Sequence, residues 1–114
     1  MKIVINDDYG GFSLSDKAIE LYGEKKGIDL VKEKDSSWTM SSYYKGSIEP
    51  ENFFCEREIE RNDPVLIEVV ESLGAAGNGA HASLKIIEIP EGVDWYIEEY
   101  DGIEWVAEKH RTWR

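Results

Sequence analysis

The sequence predicts an α+β domain in which two helices pack on a small, largely antiparallel sheet. Two segments, near residues 13–26 and 63–74, carry capping residues followed by an apolar stripe at helical spacing. Short alternating runs stand around them, at residues 1–6, 28–34, 84–90 and 95–100. The last run leads into Asp101-Gly102, and an Asp-Gly pair between two such runs is a strong local hairpin signal, because both central residues of a type I′ turn need positive φ. A length of 114 residues suits one domain around one core.

Each element has a local reason. Met1–Asn6 alternates around Ile3 and Ile5 and reads as a strand that the Gly10-Gly11 pair cuts off. Ser13 and Ser15 are both able to cap the helix that follows, whose stripe is Ala18, Ile19, Leu21 and Tyr22 and whose end falls near Gly27. Residues 28–34 alternate Ile28 and Leu30 with charges, as a half-buried strand would. Residues 35–50, rich in serine and aromatics and without a period, read as a loop or an irregular hairpin; Phe53 to Ile59 is ambiguous. Asp63-Pro64 starts the second helix, with Asp63 as cap and Pro64 in its first position; Leu66, Val69, Val70 and Leu73 make its buried face and Gly74 ends it. Residues 84–90 and 95–100 are the C-terminal strands. A two-residue turn at Asp101-Gly102 sets Tyr100 opposite Ile103, Glu99 opposite Glu104, Ile97 opposite Val106 and Trp95 opposite Glu108. Glu99 facing Glu104 puts like charges together, so either a cation such as a neighbouring Arg lies between them or the register differs. The expected core is Ile3, Ile5, Leu21, Leu66, Val69, Val70, Leu73, Ile86 and Ile97.

Composition narrows the classes of function. No apolar run approaches the roughly 20 residues that span a bilayer, and MKIVINDDYGG turns acidic where a secretory leader would be apolar; a cytosolic, non-membrane protein is expected. The single Cys55 has no disulfide partner in the chain and fits a reducing compartment. The formal charge of −11 is uneven: residues 1–34 carry seven acids and six bases, residues 48–104 carry fifteen acids against Arg57, Arg61 and Lys85, and Lys109, Arg111 and Arg114 make the end basic. An acidic body repels a phosphate backbone, which argues against general DNA or RNA binding. It reads either as a solvated surface that keeps the protein soluble or as a face for a basic protein groove.

Few residues point to chemistry. INDDYGGFSLSDKA outlines a strand, a glycine turn and a helix start where backbone N–H groups could meet an anion, but Asp7 and Asp8 repel one, the Lys-Ser/Thr of a phosphate loop is missing, and a tight turn feeding a capped helix explains it. Cys55 lacks an identifiable His partner and reads as a small apolar residue; His81 and His110 lack metal-ligand spacing, so neither a metal nor a cofactor is called for. The stretch from Trp105 to Arg114 is the most ligand-like, since Arg clamps phosphate and Trp, Tyr or His stack on a base. His110, Arg111, Trp113 and Arg114, with Tyr43 or Tyr44 and with Trp38 from the aromatic segment, could enclose a small nucleotide, with the site lying between two copies of the chain in a homo-oligomer. The plainer reading makes the aromatics core or interface anchors and the arginines surface ion pairs.

VINDDYGGFSLSDKA, RNDPVLIEVVESLG and LKIIEIPEGVDWYIEEYDGIEWVAEKHRTW resemble a family of short bacteriophage and prophage proteins; the resemblance covers most of the chain apart from residues 28–58 and brings no established catalytic or binding residues. It implies phage origin, and small phage accessory proteins are often counter-defence factors. Two expectations follow. One is a protein that sequesters a nucleotide signal of a bacterial immune system at the residues just named. The other is an acidic inhibitor that mimics nucleic acid against a host defence protein, of anti-CRISPR or anti-restriction type, through Glu98, Glu99, Asp101 and Glu104. An enzyme has least support.

Overall fold

The computed structural model describes residues 1–33 and 41–109 and has an α+β fold in which every paired strand is antiparallel. Strand β1 (Lys2–Asn6) is followed by helix α1 (Asp16–Lys26), then by β2 (Leu30–Glu33), β3 (Ser42–Lys45) and the two-residue β4 (Phe53–Phe54). After a short 3₁₀ turn come helix α2 (Pro64–Leu73) and the strands β5 (Leu84–Glu88), β6 (Trp95–Tyr100) and β7 (Ile103–Glu108).

The helix termini are where the local chemistry puts them. Of the two serines able to cap α1, Ser15 does so, its Oγ accepting from Ala18 N at 3.1 Å. Gly27 ends the helix at φ 76°, a left-handed conformation that costs a residue without Cβ nothing. Asp63 caps α2 by accepting from Val65 N at 2.8 Å, with Pro64 as the first helical residue. Leu66, Val69 and Val70 form the buried face of α2, as its spacing predicts, and Leu73 is only partly covered.

The sheet differs from expectation: among the described residues the strands form three small sheets, β1–β5, β2–β3–β4 and β6–β7. β1 pairs with β5 through its odd residues, the ends being tied by Ile89 N to Met1 O at 2.9 Å. The even residues face the other edge, where no strand among the described residues pairs with β1. Val4 N donates to Arg61 O at 2.8 Å and Asn6 N to a Glu104 carboxylate oxygen at 2.9 Å, so the edge is closed by a loop carbonyl and a side chain. The β6–β7 hairpin is therefore fastened to the domain by side chains and lies outside the β1–β5 ladder.

Around this frame, α2 packs on β1–β5, α1 packs on α2, and the β2–β3–β4 sheet reaches α1 through Tyr43 and Phe54. Ile3, Ile5, Leu66, Val69 and Val70 are buried as expected, each fully buried aliphatic contributing about 1.5–3 kcal/mol. Leu21, Leu73 and Ile86 only edge the core. Ile97 is half-exposed, because it belongs to the separate hairpin. The core instead recruits Phe12, Leu14, Tyr22, Tyr43, Phe54 and Ile59, several of them from the segments without a readable period.

Candidate interaction surface on the C-terminal hairpin

The hairpin is built from its turn. Asp101 and Gly102 have φ of 51° and 93°, and the register is the one a two-residue turn dictates: Tyr100 with Ile103, Glu99 with Glu104, Ile97 with Val106 and Trp95 with Glu108. Gly102 is held against the 6–11 loop: a Cβ there would run into Tyr9 O, and Gly102 O accepts from Asn6 Nδ2 at 2.8 Å. The turn thus docks the hairpin tip beside the end of β1.

Strand alternation divides the hairpin into two faces. On the inner face stand Trp95, Ile97 and Glu99, opposite Glu108, Val106 and Glu104. The cation that the Glu99–Glu104 pairing requires is Arg61, whose Nη2 donates to Glu104 Oε2 at 2.8 Å while Nη1 reaches the other carboxylate oxygen. The guanidinium also lies over the Phe12 ring, 3.6 Å from its centroid, and donates to Val4 O at 3.3 Å. Glu104 is only 7% exposed, so the expectation that it belongs to an outward acidic surface is corrected: pairing with Arg61 and acceptance from Asn6 N turn it inward.

On the outer face Tyr96, Glu98 and Tyr100 lie opposite Ala107, Trp105 and Ile103. Three exposed aromatics share this face, with Tyr100 74%, Trp105 42% and Tyr96 37% exposed. Glu98 holds two of the three rings. Its carboxylate accepts from Tyr96 OH at 2.7 Å and from Trp105 Nε1 at 3.0 Å. The Tyr96 hydroxyl is raised above the usual tyrosine pKa, chiefly by the hydrogen bond to Glu98, with desolvation and the nearby negative charge adding to it. Asp101, in the turn, and Glu99, on the inner face, are also exposed. The arrangement is two held aromatic rings with Tyr100 exposed beside them, framed by carboxylates and able to seat on an apolar surface edged with cations.

The residues expected to enclose a nucleotide fare differently. His110, Arg111, Trp113 and Arg114 lie outside the described residues, as does Trp38. Tyr43 and Tyr44 are consecutive on β3 and face opposite sides, so they cannot both stack on one guest. Tyr43 is buried and its hydroxyl donates to Glu20 at 3.1 Å; burial first, then the nearby Asp16 and Glu20 carboxylates, push its pKa up. Tyr44 packs edge-on against Phe53, ring centroids 5.7 Å apart.

Two concavities adjoin these elements. A cleft of about 620 Å³ between the start of α1 and the β3–β4 pair is lined by Ser13, Ser15, Ser42, Tyr43, Phe54 and Arg57, among others. Several of its polar groups are already engaged within the protein, Ser13 Oγ with Ala80 O at 3.3 Å and Ser15 Oγ with Ala76 O at 2.7 Å. A groove of about 450 Å³ under the hairpin tip holds Arg57, Arg61, Glu99 and Asp101. Cys55 is half-buried on the wall of the larger cleft. Among the described residues, no three His, Cys, Asp or Glu side chains converge as a metal site would need, and no helix is long and apolar enough to cross a membrane.

The residues that sequence reasoning missed are Arg61 and Asn6. The like-charge pair signals that some cation is needed, but neither residue's place beside the hairpin is encoded within its own segment. Comparisons with protein families, curated proteins and solved structures find no match to the chain.

Proposed function

We propose that this chain is an acidic protein-interaction factor of the phage-accessory kind, whose hairpin occupies the nucleic-acid groove of a host defence protein. The reading rests on one observation: Glu98 ties Tyr96 and Trp105 in place on a sheet face that no other described element covers, with Tyr100 exposed beside them. Interfaces draw most of their affinity from a few tyrosine, tryptophan and arginine anchors, and anchors held rigid before binding lose less entropy on association. Fifteen acids among residues 48–104 supply the field that a cationic groove attracts.

The test is displacement of labelled DNA from purified CRISPR and restriction nucleases. At low salt the protein should release the DNA from a nuclease it targets, and the effect should weaken as salt rises. Replacing Tyr100 with Ala should raise the apparent Kd about 30-fold, the equivalent of a ~2 kcal/mol anchor, and E98Q/E99Q/D101N should cost at least about tenfold. Failure to displace DNA from any of the nucleases, or variants that bind as well as the parent, would refute this reading.

A second reading, sequestration of a small nucleotide, is supported by the cleft of about 620 Å³ with Arg57 and Tyr43 on its walls, a volume within the roughly 300–1,000 Å³ of ligand pockets. It requires a rise in Tm with cyclic or ADP-ribose-type nucleotides, by mass action on the folded state. The interaction reading requires no such rise.

A further inference from the structure

β6 is an edge strand. Asp94 O accepts from Lys109 N at 2.8 Å, and by the alternation of an antiparallel ladder Tyr96, Glu98 and Tyr100 also direct their backbone groups to β7. The N–H and C=O groups of Trp95, Ile97 and Glu99 therefore point away from the hairpin. Among the described residues, no backbone hydrogen bond from elsewhere in the chain reaches them and no third strand joins this sheet. An edge of this kind is a template for another chain.

We propose that the free edge of β6 takes up an extended, dibasic segment of the partner as a third strand; the proposal rests on the interaction reading above and gives its mode of recognition. Charge selects the occupant. A second copy of WYIEEY laid antiparallel against β6 would add two more carboxylates to an edge that already carries two, and would bring together two chains of formal charge −11, so self-pairing is opposed. A foreign strand with two adjacent basic residues is favoured instead. Adjacent residues of a strand project to opposite faces, so one cation would meet Glu98 on the outer face and the next would meet Glu99 on the inner. Residues flanking the dibasic pair on the outer face would lie beside Tyr96 and Tyr100, which suits β-branched or aromatic side chains. Backbone pairing supplies affinity and the alternate side chains supply specificity, as in other strand-addition complexes.

The experiment is residue-resolved amide hydrogen exchange on the full chain with a synthetic peptide of valine and threonine around a central Arg-Lys pair. Saturating peptide should slow exchange of the Trp95, Ile97 and Glu99 amides by about tenfold or more, with smaller changes at Tyr96, Glu98 and Tyr100, whose amides β7 already protects. The same peptide N-methylated at alternate residues should lose both binding and protection, and E98Q/E99Q should weaken binding at low salt. Peptide bound without slower exchange at those three amides would overturn strand addition, and so would a peptide that does not bind at all. Neither result touches the nuclease displacement assay, which tests the interaction reading separately.

Discussion

Asn6 uses its whole side chain to hold segments together. Its Nδ2 donates to Asp8 O at 2.7 Å and to Gly102 O at 2.8 Å, and its Oδ1 accepts from Ser83 N at 2.9 Å. No surface of it reaches solvent, so each of these bonds replaces one that water would otherwise make. Arg61 and Glu104 complete the attachment, with the ion pair, the Phe12 ring and Asn6 N sharing one small buried region. Removing one member of a buried pair strands the other's charge. R61A is therefore expected to lower unfolding free energy by about 3–5 kcal/mol in a urea titration. E104Q should be milder, because an amide oxygen can still accept from Asn6 N. If R61A proved as stable as the parent, the pair would not be what holds the hairpin.

At the scale of elements, the two helices are joined by a clamp that responds to pH. The Tyr22 hydroxyl of α1 and the Lys26 ammonium both donate to the Asp63 carboxylate that caps α2, at 2.8 and 3.0 Å. Burial pushes the Asp63 carboxyl up, but the bonds from Lys26, Tyr22 and Val65 N together outweigh it and hold the carboxyl below its usual range. A depressed carboxylate contributes stability above its unfolded pKa of about 3.9 and loses that contribution as pH falls through the folded value. Burial, with the hydrogen bond and charge of Asp63 added, pushes Tyr22 up to about 12. A raised phenol contributes fully below its unfolded value of about 10 and loses its contribution as pH rises toward the folded one. D63A should accordingly cost about 1–2 kcal/mol at neutral pH, as a lost cap does. Its deficit against the parent should shrink in acid below about pH 4.

The hairpin is the other element with a stability of its own. G102A places a side chain at φ 93° and against Tyr9 O, at a cost of about 1–3 kcal/mol in backbone strain, with the clash added. Hydrogen exchange should show the loss concentrated in β6 and β7, while the amides of α1 and α2 stay protected. Loss spread evenly over the chain would mean that the hairpin and the body unfold as one unit.

For the whole molecule the governing quantity is a formal charge of −11. The ion pairs at the surface, such as Lys25 with Glu68 and Lys2 with Glu71, involve largely exposed side chains and are worth at most about 1 kcal/mol each. They cannot offset the excess of acids. Added NaCl should therefore raise Tm by screening self-repulsion, while weakening association with a cationic partner. A Tm that falls with salt would show that attractive pairs dominate the surface.

The sequence by itself determined what depends on neighbours along the chain. Ser15 or Ser13 with Gly27, and Asp63-Pro64 with Gly74, delimit the helices because caps and left-handed ends are local chemistry. Asp101-Gly102 carries the hairpin register for the same reason, and the register in turn exposes the need for a cation near Glu104. Only the tertiary structure decided that this cation is Arg61, that Glu104 faces inward and that Tyr43 belongs to the core. It also decided that β1 spends its second edge on Arg61 O and a carboxylate, which splits one expected sheet into separate ones. Those outcomes follow from which side chains meet across distances of 43 to 98 residues, and no segment contains the information about its distant partner.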